Sequence, residues 1–181
     1  MALNNKNIRG ADELVAKLQA AKQYLQTSVL TVVGQEAVNH FKNNFQVEGF
    51  VDKNTTKWAT RKTKRLGGTY SQKVLSKSGE LADSIGFEIK GNTVTIYTDK
   101  LYAQIHNEGG RIEVTAKMKK YFWAMHYQAK QAGNAAAADQ YKSMSLAKVV
   151  VMPKRMFIGN SEQLNQNIID KIKRDLTKIL S

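Results

Sequence analysis

The chain has 181 residues, one proline, no cysteine and a formal net charge of +13. That length holds one domain with a real core more readily than two, and the lack of cysteine excludes disulfide frameworks and thiolate metal sites, as befits folding in a reducing cytoplasm. No apolar run approaches the roughly 18–20 residues of a spanning helix, so no membrane partner is expected, and the polar N-terminus offers no secretory leader.

From residue 11 to 46 the pattern is helical. Leu14, Leu18, Ala21, Leu25, Val29, Val32, Ala37, Phe41 and Phe45 recur at intervals of three to five, giving one apolar stripe. Thr27-Ser28 and Gly34 are weak points, so one long helix and two consecutive ones both fit, and Gly49 marks the end. Residues 50–76 show no period and read as a long loop, anchored to the core by Trp58. Between Lys53 and Lys77 lie Lys53, Lys57, Arg61, Lys62, Lys64, Arg65, Lys73 and Lys77 without one acid, and that segment carries over half of the charge surplus. Cations at that density suit an anionic partner, either a phosphate backbone or an acidic protein.

A short helix or turn follows, with Ser78 as its expected N-cap and Leu81 and Ile85 on one face. The alternation of Ile85, Phe87 and Ile89, the Gly91-Asn92 pair, and the returning Val94 and Ile96 predict a β-hairpin. Its apolar set should face the helices, and Glu88, Lys90, Thr93 and Thr95 should face outward. Residues 102–107 read as a helical turn released by Gly109-Gly110 into a strand at 111–115. The insertion 116–147 begins with a helix at 117–130, and its alanine-rich stretch after Gly133 is expected to be mobile. Val149 to Val151 are expected as a short strand, with 155–158 as a candidate continuation past Pro153, and an amphipathic helix capped by Asn160 or Ser161 closes the chain. The expected fold is α+β: a small, mainly antiparallel sheet from 85–98, 111–115 and 148–158, covered by the N-terminal and C-terminal helices, with 116–147 projecting.

Catalytic constellations are missing. His40, His106 and His126 are far apart, and none has a second ligand three or four residues on in a His-Glu-x-x-His arrangement, so no metal is expected. There is no Gly-x-Ser-x-Gly elbow and no phosphate-binding glycine loop with its lysine. Nothing in the spacing brings Glu108 to Asp83 or Asp99 for paired-carboxylate chemistry. His106 is instead expected to order its own turn through a ring nitrogen and to lie beside Tyr102. Arg155, set among apolar neighbours, needs a partner, and Glu108 is the candidate. Trp123 and Tyr127, four apart on the insertion helix, are candidate interface residues.

Five short motifs follow in order: Trp58; Ser78-Gly79-Glu80-Leu81; Ser84-Ile85; Tyr102-Ala103-x-Ile105-His106-x-x-Gly109; and Met152-Pro153-x-Arg155-x-Phe157-Ile158-Gly159. Their order and spacing over about residues 41–180 resemble the phage virion morphogenesis family, the tail-completion proteins of the head–tail junction. The resemblance implies a structural virion protein without a cofactor, made in the host cytoplasm and carried in the tail or neck. It implies a homo-oligomeric ring, six- or twelve-fold, that meets other neck and tail proteins and packaged DNA. Trp58, Ser78, Gly79, Leu81, Tyr102, His106, Gly109, Pro153, Arg155 and Phe157 would then be structural motif residues. The long alanine-rich piece 128–147 departs from the family's usual pattern. A sequence-independent nucleic-acid-binding protein is the other reading of the same charge.

Overall fold

The computed structural model describes residues 5–60, 73–76 and 78–181, with side chains from residue 10 onward. Arg61, Lys62, Lys64, Arg65 and Lys77 therefore lie outside the described residues.

The N-terminal stripe forms α1 (Asn5–Gln23), a π-helical turn (Tyr24–Ser28) and α2 (Val29–Val47) in direct succession. The π turn falls on the Thr27-Ser28 weak point, where the Thr27 hydroxyl donates to the Gln23 carbonyl at 2.8 Å and competes with the helical ladder. Helix α2 runs straight through Gly34, which has a positive role there: a Cβ at this position would lie 2.2 Å from the Phe87 ring. The stripe has two fates. Ala37, Phe41 and Phe45 are buried in the core, whereas Leu14, Leu18 and Leu25 on and just beyond α1 stay about half exposed.

Helix α2 ends at Glu48, in the left-handed conformation, one residue before Gly49. The expected loop then starts as a hairpin, β1 (Gly49–Val51) paired antiparallel with β2 (Thr55–Lys57). Alternation is too short over three residues per strand to announce it. Helix α3 (Glu80–Asp83) buries Leu81, and Ile85 is buried just beyond it. Ser78 does not cap this helix: it is exposed, and the capping position is Gly79 in the left-handed region.

Strands β3 (Gly86–Lys90) and β4 (Thr93–Tyr97) pair in the expected register, Phe87 opposite Ile96 and Ile89 opposite Val94. Gly91 takes the positive φ that so tight a turn demands. Phe87 and Ile96 are half buried, but Ile89 is 40% exposed, because the tip of the ribbon outruns the helices it rests on. Helix α4 (Ala103–Glu108) leads through Gly109 into β5 (Gly110–Glu113), which pairs antiparallel with β6 (Val149–Met152). These strands do not join into the one sheet expected; the described strands form three separate two-stranded ribbons.

Between β5 and β6 stand α5 (Ala116–Gln131) and α6 (Ala135–Leu146), capped by the Thr115 and Asn134 side chains. The alanine-rich stretch expected to be mobile is thus the start of a helix. Its small residues let two helices approach closely: Ala129, Ala137 and Ala138 are buried together as a second, minor core under Tyr141. Helix α7 (Glu162–Leu180) closes the chain, with the Ser161 hydroxyl accepting the Leu164 N–H at 3.1 Å. It lies against α2 and α1; Tyr24 donates to Asp175 at 3.0 Å, and Lys171 holds the same carboxylate.

Candidate functional site

The main core closes around residues 154–158, which do not continue β6 as expected and pair with no strand among the described residues. Buried backbone groups need partners, and here side chains from distant elements supply them. Asn44, fully buried on α2, donates to the Phe157 carbonyl at 3.0 Å and accepts the Val51 N–H at 3.0 Å. Asn107 accepts the N–H groups of Phe157 and Ile158 at 2.8 and 3.0 Å and donates to the Ile158 carbonyl at 3.0 Å. The Trp58 indole donates to the Met156 carbonyl at 2.8 Å. Trp58 is indeed the anchor expected, buried edge-on against Phe45, whose ring also meets Phe157. Neither asparagine was singled out from sequence, although Asn44 carried a signal: it interrupts the apolar stripe between Phe41 and Phe45.

Pro153, Arg155, His106 and Gly109 of the motifs converge on the same segment. Pro153, with no N–H to offer, follows β6 at the point where the ladder stops. The Arg155 N–H donates to the His106 carbonyl at 2.8 Å. Gly109 is fixed twice over, by its φ of 73° and by the Lys154 backbone, which would lie 2.7 Å from any Cβ there. Arg155 is buried, and its Nε donates to the Ala59 carbonyl at 3.1 Å. The expected Glu108 pairing gives way to this contact: Glu108 is exposed and accepts from Gln104 instead. The Ala59 carbonyl follows directly on the buried Trp58, whereas Glu108 at the end of α4 faces water.

His106 lies edge-on to Tyr102 at 5.9 Å, as expected, but it does not order its turn by a ring hydrogen bond. Its Nδ1 is buried with no partner among the described residues. Burial, and then the Arg155 charge, hold its pKa below the ordinary value. His40 is also kept low by burial, partly offset by its contact with the Val51 carbonyl and by Asp52. Among the described residues, no three of His, Cys, Asp and Glu converge on a point, and no helix is long and apolar enough to cross a membrane.

The described cations of the 53–77 region are held by the protein itself. Lys57 and Lys73 reach the carbonyls of Val47 and Gln46, at the negative end of α2. Lys53 pairs with Glu162 at 2.7 Å. Glu48 accepts the Val74 N–H, which ties the far end of the region back to α2. On α5, Trp123 and Tyr127 form a tilted ring pair at 6.2 Å, with Tyr127 59% exposed and His126 set edge-on to both.

Compared with known protein families, residues 6–177 match the phage virion morphogenesis family. The chain belongs to that family. Its role therefore lies in building the phage virion. The family match covers the clamp around 154–158, the capped α5–α6 insertion and nearly all of α7, so the insertion sits within the matched length. No curated protein and no solved structure matches the chain.

Proposed function

We propose that the protein is a structural, non-enzymatic component of a tailed phage, completing the tail or joining it to the capsid connector as a ring at the head–tail junction. Membership of the virion morphogenesis family supports the structural role. The observation that carries the assembly is the uncovered half of the N-terminal stripe. Leu14, Val15, Leu18 and Leu25 are each about half exposed along one helical run, although the same stripe is core further on. Such a contiguous apolar strip on a subunit finds a neighbour, and repeated copies of one surface close into rings when the rotation allows. Size-exclusion chromatography with light scattering, followed by class-averaged electron micrographs, tests the reading. A closed ring supports it; a monomer at every concentration refutes it.

A second reading, a sequence-independent nucleic-acid-binding protein, is favoured by the +13 charge. It predicts a monomer or dimer that binds duplex DNA without assembling.

A further inference from the structure

Three lysines of the 53–77 region are engaged within the protein, as described above. The insertion is different. Residues 116–148 hold six lysines, 117, 119, 120, 130, 142 and 148, against a single acid, Asp139. None of these six ammonium groups has a hydrogen-bond or ion-pair partner among the described residues. A folded surface usually intersperses both signs; this one does not, and its charge gains nothing from the fold.

Helix geometry arranges part of that charge. Lys120, Trp123, Tyr127 and Lys130 follow at steps of three, four and three, so they run along one strip of α5. The strip is about 15 Å long, at 1.5 Å per residue. One strand of duplex DNA carries roughly four phosphates over that length, at 3.4 Å each. The rings in the middle lie against one another and against His126, and Tyr127 is 59% exposed between the two lysines of the strip. The hairpin contains no arginine, whose fork would demand a set geometry; lysine binds phosphate as a point charge in any orientation.

We propose that the α5–α6 hairpin is the surface by which this protein holds a nucleic-acid phosphate backbone, independent of sequence, with Lys120 and Lys130 among its contacts. The site stands apart from the ring reading: a protein that assembles but does not bind DNA through this hairpin loses this inference alone.

Fluorescence anisotropy of two labelled duplexes of unrelated sequence, titrated at rising salt, tests it. Binding should be equal for the two, and the slope of log affinity against log salt should fall by about two in K120Q/K130Q, roughly 0.9 per lost contact. Circular dichroism should show the variant folded, since both lysines are exposed. The K53Q variant, whose cation faces Glu162, should leave the slope unchanged. Three results would overturn the proposal: no duplex binding at low salt; an unchanged slope in K120Q/K130Q while R61Q/K62Q/K64Q/R65Q abolishes binding; or displacement of the duplex by polyglutamate at equal charge, which would assign the hairpin to an acidic protein.

Discussion

Replacing Asn44 with alanine should be among the most damaging single changes in the chain. The side chain is fully buried and satisfies two backbone groups at 3.0 Å each, the Val51 N–H and the Phe157 carbonyl. Alanine leaves both without a partner in a closed interior, at about 1–3 kcal/mol for each unsatisfied group. The missing amide also leaves a small void between Phe41, Phe45 and Phe157, so a total of about 3–5 kcal/mol is expected. Reversible urea unfolding measures it, with Asn43→Ala as the exposed control, expected within about 0.5 kcal/mol of the parent. Asn107→Ala acts on the same segment, so a double-mutant cycle should be sub-additive: once one clamp is gone, 154–158 can reach water and the second has less to lose. A loss under about 1 kcal/mol for Asn44→Ala would mean that water or backbone takes over both groups, and would refute the clamp.

Gly34→Ala should destabilise by about 1–3 kcal/mol in thermal or denaturant unfolding, against the helix propensity that favours alanine, because its methyl meets the Phe87 ring. Leu18→Glu should shift the light-scattering mass to that of a single subunit while leaving the circular dichroism intact, since Leu18 is 54% exposed in the isolated chain; an unchanged mass would place the contact elsewhere. Burial holds His40 and His106 below their ordinary 6.5, so the unfolded chain takes up protons first and stability is lost as pH falls through 6.5 toward the folded values. His40→Gln, which can still donate to the Val51 carbonyl, should flatten that pH dependence in unfolding midpoints measured across the window; an identical slope would show that the burial does not govern it.

Local patterns were legible where one face of an element is buried by the element's immediate neighbours. The 86–97 hairpin follows from alternation and a two-residue turn, and α7 from an apolar period behind a serine cap. Trp58 stood out as the one tryptophan in a basic stretch. The same logic misjudged Leu14, Leu18 and Leu25: amphipathicity says that a face is apolar, not that this chain covers it. At 133–139, a low-complexity run expected to be mobile at its tip, the helix was not legible, because small residues show their use only once α5 and α6 approach. The described part of the basic region adds contacts that a charge count does not show. A run of like charge looks free in sequence, yet Lys57 and Lys73 find the carbonyl end of α2, which no count of acids reveals.

The motifs carried recognition without explaining themselves because each is half of a contact. Trp58, the turn from Tyr102 to Gly109, and the segment from Pro153 to Phe157 are separated by 40 to nearly 100 residues, yet they meet at one extended strip of backbone. Trp58 must reach the Met156 carbonyl, His106 must offer its own carbonyl to Arg155, and Gly109 must leave room for Lys154. A segment held by side chains has no ladder to absorb a shift of register. Moving 154–158 by one residue would unseat Asn44, Asn107 and Trp58 together, and would turn Phe157 out of the core. The order and spacing of these motifs are therefore the sequence trace of a single buried junction, of which α5–α6 makes no part.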